Sequence, residues 1–212
     1  MKMQWVVAMV AAAVLVPSEA TLGQEYPKLD RDDEIRLAMS AGPPTVSRNA
    51  NIYIFGRDGF EKVIDGNNEW SCLVVRSAAG REQLAPMCLN PFATASVLPA
   101  YLEEGRLQRR GMDNEAIQAE LLRQFESGKL PTAEGPAYTY MLSSGQRLGP
   151  GLTSFKPHFM LYMPGASNEL IGGDPQNQAF PFVGPFENHP LATVVIIMDE
   201  FVDPEDMVIP GT

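Results

Sequence analysis

Residues 51–75 read NIYIFGRDGFEKVIDGNNEWSCLVV, and this stretch decides the fold class. NIYIF (51–55) is rich in β-branched and aromatic residues, FEKVI (60–64) alternates, and EWSCLVV (69–75) is apolar again. GRDG and DGNN separate the three runs. Short strand-like runs divided by turn residues predict an antiparallel meander. Side chains alternate along a strand, so Trp70, Cys72 and Val74 share one face.

Downstream the pattern changes period and then changes back. RSAAGREQLAPM (76–87) reads as a loop that returns Cys88 to the Trp70 strand. Asn90 followed by Pro91 is a helix start, and Pro99 breaks or kinks the helical stretch that follows. MDNEAIQAELLRQFESG (112–128) is the clearest helix: Asp113 or Asn114 caps it, Ile117, Leu121 and Phe125 fall four apart, and Gly128 ends it. Upstream, DDEIRLAMSAG (32–42) reads as a short helix with acids in its first turn. AYTYML (137–142), PHFMLYM (157–163) and LATVVIIM (191–198) are strand-like again, the last apolar on both faces and therefore expected at the sheet centre. Strands early, helices in the middle and strands late predict a single α+β domain with a mostly antiparallel sheet and two to four short helices.

The N-terminus sets the chemical compartment. Lys2 precedes an apolar run from Trp5 to Val16, Pro17 ends it, and Ser18 and Ala20 are small. That is the layout of a signal peptide cleaved after Ala20, and the run is too short to span a bilayer. The expected organisation is a signal peptide over 1–20, a flexible arm over 21–31 and one domain over 32–212. Export to the periplasm or beyond favours a disulfide between the two cysteines, Cys72 and Cys88. The net charge of −10 makes nucleic acid and anionic lipid poor partners, and membrane insertion after cleavage is not expected.

The segments GNNEWSC, PMC, AYTYML, PHFMLYMP and HPLATVVIIM, in this order, resemble a group of uncharacterised secreted bacterial proteins. The resemblance covers most of residues 35–198. It implies an exported single domain, with no catalytic residues and no activity assigned to the group.

Candidate sites centre on the two histidines. In PHFMLYM, His158, Met160 and Tyr162 face one way, and Phe159, Leu161 and Met163 face the other as plain core. Imidazole plus thioether suits copper, so His158 and Met160 form one candidate metal set. His158 and His189 with Glu187 or Asp174 form a second, the donor set of a zinc-dependent hydrolase, although no H-E-x-x-H spacing supports it. Each histidine also has a structural reading: a satisfied core residue at 158 and a loop hydrogen bond at 189. His158, Met160, Tyr162 and His189 are also the candidate ligand-binding residues.

Other chemistries find less support. There is no G-x-S-x-G elbow, and Ser143, Ser144 and Ser167 are ordinary loop serines. The acids Asp199, Glu200, Asp203, Glu205 and Asp206 lack EF-hand spacing and read as a solvated tail rather than a calcium site. Tyr53, Trp70, Tyr138, Tyr140 and Phe182 are candidates to line a groove for an apolar or sugar ligand, or else are core. The expected function is a non-catalytic binding or accessory role toward a small ligand or a protein, with no required cofactor. The alternatives are the hydrolase and a copper-binding protein.

Overall fold

A computed structural model describes residues 26–76, 83–148 and 155–210. The expected signal peptide and residues 21–25 of the expected arm lie outside the described residues; the rest of that arm is held to the domain, with Tyr26 buried against Phe55, the Pro27 carbonyl accepting from Arg76 Nε, and Arg31 already in the first helix.

The described chain is an α+β body around one sheet. The strands are β1 (Asn51–Phe55), β2 (Phe60–Ile64), β3 (Ser71–Arg76), β4 (Leu84–Leu89), β5 (Tyr138–Met141), β6 (His158–Tyr162), β7 (Phe182–Val183) and β8 (Thr193–Ile197). The helices are α1 (Arg31–Met39), α2 (Pro44–Ser47), α3 (Pro91–Ser96), α4 (Leu98–Arg109), α5 (Asn114–Glu126) and α6 (Asn168–Ile171), with a 3-10 turn at Pro204–Asp206. Six helices exceed the expected two to four, because α2 and α6 are single turns without a readable period.

The sheet order is β2-β1-β3-β4-β5-β6-β8-β7. Every pairing is antiparallel except β1 with β3, which is parallel. The expected meander is therefore corrected: β2 folds back to the outer edge, and β3 lies on the other side of β1. The crossing depends on Gly66, where an added Cβ would sit 2.3 Å from the Asn49 carbonyl oxygen. Only glycine permits that approach. The exposed Glu61 and Lys62 keep the β2 edge polar, which discourages edge-to-edge pairing.

The expected loop over 76–87 is also corrected: 77–82 lie outside the described residues, while β3 runs to Arg76 and β4 begins at Leu84. Pro86 sits in this central strand without costing a ladder bond. Leu84 exchanges backbone bonds with Arg147, and the strand pairs with β5 again only at Cys88 and Leu89. Pro86 falls in the opening between these two contacts, where no N–H is required. LATVVIIM, expected at the centre, lies one strand from the edge, capped only by the two-residue β7.

The helices form as their sequences predict. Asn90 Oδ1 accepts from Ala93 N–H and caps α3, Asp113 Oδ1 accepts from Ala116 N–H and caps α5, and Gly128 follows α5 with φ +72°. Val97 separates α3 from α4, with Pro99 in the first turn of α4, where its missing N–H is harmless.

The sheet has two dissimilar faces. On one, α3, α4 and α5 bury Val97, Leu98, Leu107, Ile117, Leu121 and Phe125 against Leu73, Met87, Leu89, Met141 and Tyr162. On the other, α1 packs Ile35, Ala38 and Met39 on Ile52, Cys72, Val74 and Cys88, with Met207 and Ile209 from the C-terminal segment. Cys72 and Cys88 are directly opposite in the β3–β4 register and form the expected disulfide, fully buried beside Trp70. A Cβ at Gly42 would meet Cys88 Cβ and Sγ at 3.0 Å, so the chain after α1 lies directly on the bridge.

At the far end of β3 a buried ion pair locks α1 to the sheet. Arg76 Nη2 lies 2.6 Å from Glu34 Oε2, and Arg76 also donates to Glu34 Oε1, to the Val74 carbonyl and, through Nε, to the Pro27 carbonyl. Glu34 Oε1 accepts from Phe55 N–H as well. Both charges are thus compensated and hydrogen-bonded, the condition under which a buried pair is tolerated.

Candidate functional site

β6 carries the residues singled out by sequence, and its two faces have different fates. His158, Met160 and Tyr162 do share a face, and that face lies under α4 and α5. Each polar tip there has an internal partner. His158 is buried, and its Nδ1 lies 2.8 Å from the Lys156 carbonyl oxygen. A carbonyl only accepts, so Nδ1 carries the proton and the lone pair is on Nε2. Burial holds the imidazole pKa below its ordinary value, partly opposed by that hydrogen bond. Met160 Sδ accepts from Thr193 Oγ1 at 3.6 Å. The Tyr162 hydroxyl pairs with the Tyr101 hydroxyl at 3.0 Å, and burial raises the pKa of both phenols.

His189 belongs to the opposite end of the strand. His158 pairs with Ile197 and Tyr162 with Thr193, while the His189 carbonyl accepts from Gly165 N–H beyond Tyr162. Residues 158 and 162 alone are separated by about 13 Å of strand. The two histidines therefore do not meet, which corrects the expected His158/His189 set. His189 instead closes a loop: Nδ1 accepts from Leu191 N–H at 3.0 Å, and the ring packs between Phe125 and Phe186. Glu187 accepts from Asn168 Nδ2, and Asp174 accepts from Gln176 N–H. Among the described residues no three His, Cys, Asp or Glu side chains converge to hold a metal.

The serines and the acidic tail are likewise engaged in structure. Ser143 is fully buried, bonded to Ser40 Oγ, and Ser167 caps α6. Asp203 Oδ1 accepts from Glu205 N–H at the start of the 3-10 turn.

One further ionisable group is unusual. Glu104 lies half-buried on α4, one turn after Tyr101, and desolvation pushes its carboxyl up to about 7. Among the described residues its one hydrogen bond is a long contact from Gln108 Nε2 at 3.4 Å, and no cation pairs with it.

The opposite face of β6 holds a different constellation. The register aligns Ile52, Cys72, Cys88, Tyr140, Phe159 and Ile196 in one row across the sheet. The first three are under α1. The last three are not: Tyr140 and Phe159 are half-buried, and Ile196 is 36% exposed. A parallel row places Tyr138 beside Leu161 and Val194, and Trp70 closes the group from the end of β3. The rings of Trp70 and Tyr140 are stacked 5.9 Å apart at an interplanar angle of 11°, and Tyr138 and Phe159 lie 4.8 Å apart. These four rings, with Leu161 and Ile196, make an aromatic strip between two covered regions. α1 bounds it over β1, β3 and β4, and a small cluster of Ala166, Val183 and Ala192 with Ile171 of α6 bounds it at β7.

The turn before β3 holds Trp70 in place. Asn68 Oδ1 accepts from Trp70 N–H, Asn68 Nδ2 donates to the Val46 carbonyl, and Asn51 Nδ2 donates to the Trp70 carbonyl. Glu69, exposed beside Trp70, has φ +61°, a conformation an L-residue adopts at some cost. The G-N-N-E-W segment thus presents the indole rather than merely linking two strands.

Of the five aromatics singled out by sequence, Trp70, Tyr138 and Tyr140 join this strip. Tyr53 and Phe182 are on the helix-covered face, Tyr53 against the α4–α5 core and Phe182 opposite Val195. Phe159 and Leu161, expected as plain core, are half-buried members of the strip, and Met163 is 41% exposed. Alternation told which side chains share a face; it did not tell which face the helices cover.

No protein-family model, curated protein or solved structure matches this chain.

Proposed function

We propose that this chain is an exported, non-catalytic binding protein whose contact surface is the Trp70–Tyr138–Tyr140–Phe159 strip. The observation that carries the reading is a connected set of four half-buried rings on one sheet face, flanked by regions packed under α1 and beside α6. Aromatic rings offer large contact area at low entropic cost and are enriched where proteins meet ligands and partners. The engaged state of His158, Met160, His189 and the loop serines supports binding over catalysis.

The test uses tryptophan emission. Trp5 and Trp70 are the only tryptophans, so Trp5→Phe makes Trp70 the sole reporter. A panel of neutral oligosaccharides, organic cations and short peptides is titrated into that chain. Binding at the strip gives a saturable change in Trp70 emission for one class, lost in Tyr140→Ala. A response that persists unchanged in Tyr140→Ala, or no response to any class, refutes the proposal.

A further inference from the structure

We infer that the strip is a docking surface for an arginine-bearing extended segment of a partner protein. The inference rests on the proposed binding role and names the chemistry of its occupant.

Shape comes first. The strip is a row of half-buried to exposed side chains running across several strands of one sheet face, whereas a small-molecule site encloses most of its ligand. From Trp70 at the end of β3 to Ile196 on β8 the surface crosses four strand spacings, about 19 Å. That is the length of about six residues of extended chain. The apolar surface continues past Ile196 to Met198, 39% exposed, which its N–H to the Pro157 carbonyl fixes beside the start of β6.

Charge comes second. The three strands beneath the strip, β5, β6 and β8, contain no Asp, Glu, Lys or Arg. Acids stand at both ends: exposed Glu69 beside Trp70, and exposed Asp199 and Glu200 directly after Met198. The cations nearest in sequence to the rings are Lys156, exposed three residues before Phe159, and Arg76, whose charge is taken up by buried Glu34; the chain as a whole carries −10. An apolar π surface with acids at its ends, on an acidic protein, complements a cation and repels an anion.

Ring chemistry selects the kind of cation. A guanidinium is planar, weakly hydrated and stacks on aromatic faces, whereas an ammonium is a compact, strongly hydrated point charge. This molecule already uses that contact internally: the guanidinium of Arg109 lies 3.9 Å from the Phe55 ring centroid. The strip offers the same faces to an outside arginine.

The experiment titrates the Trp5→Phe chain with a short alternating arginine–glycine peptide, and with lysine–glycine and glutamate–glycine counterparts and a neutral cello-oligosaccharide. The arginine peptide is expected to change Trp70 emission saturably, to bind about 5-fold more tightly than the lysine peptide, and to weaken as salt rises. Tyr140→Ala should abolish the response. Glu69→Gln, which leaves all four rings in place, should weaken it about 3-fold. No saturable change with the arginine peptide up to millimolar concentration overturns the inference, as does equal binding of the glutamate peptide or indifference to both substitutions. If the oligosaccharide binds through Tyr140 and the arginine peptide does not, the binding role stands and the arginine assignment falls. If nothing binds, both fall.

Discussion

Two halves of one sheet face, built from the same strand-forming residues, behave differently. Over β1, β3 and β4 the face is dry: Ile52, Cys72, Val74 and Cys88 are fully or almost fully buried under α1 and the C-terminal segment. Over β5, β6 and β8 the same face carries larger side chains, Tyr138, Tyr140, Phe159, Leu161 and Ile196, and among the described residues no helix packs on them. The small disulfide half lets a helix come close, with Gly42 directly on Cys88. The aromatic half is packed ring against ring and remains open. Stability is concentrated in the first half and surface chemistry in the second.

Substitutions in the two halves should separate these roles. The largest effect is expected where α1 is locked to the sheet. Arg76→Met strands the Glu34 carboxylate in the interior and should lower unfolding free energy by about 3–5 kcal/mol in urea denaturation. A loss below about 1 kcal/mol would mean that water reaches this pair and that the covered half is less dry than described.

Next comes the bridge. The oxidised chain should show no free thiol when denatured without reductant, and Cys72→Ser should cost about 3 kcal/mol. Two titratable thiols in the unreduced protein would remove the staple from the covered half.

A pH effect of intermediate size is expected from Glu104, on the helix-covered face. Its folded pKa, about 7, lies above its ordinary value of 4.5, so the folded chain binds this proton more tightly than the unfolded chain does. The contribution is therefore most favourable below pH 4.5 and is lost as pH rises toward 7. Glu104→Gln should flatten that fall and stabilise the protein by about 2 kcal/mol above pH 7. A steeper fall in the variant would show that another group titrates there.

The smallest stability change belongs to the open half. Ile196→Thr, at a 36% exposed strand position, should shift unfolding by less than about 0.5 kcal/mol while altering any contact made on the strip. A large loss of stability would show that the strip is core after all.

Much of this contrast could be read from the chain before any coordinates. Alternation in PHFMLYM separated His158, Met160 and Tyr162 from Phe159 and Leu161, and the register keeps that separation. Cap and stop signals placed α5 within two residues, because Asp113 and Gly128 act locally. The pairing of Cys72 with Cys88 followed from there being two cysteines in a chain that reads as exported. What failed was long-range. The β1–β3 parallel pairing depends on Gly66 passing against Asn49, a contact between segments that turn signals do not encode. The reading of His158 as a ligand failed to anticipate that the Lys156 carbonyl would accept a hydrogen bond from its Nδ1–H and that His189 would lie at the other end of β6.

The sequence by itself determined the α+β class, the local helices, the disulfide and the partition of β6 into two sets of side chains. These follow from period, caps and composition, which act over a few residues. The tertiary structure alone decided which of the two sets is covered. That choice is made by where α1, α4 and α5 come to rest on the sheet, through packing of residues far apart in the chain, and it moved the candidate site from the histidine face to the aromatic one.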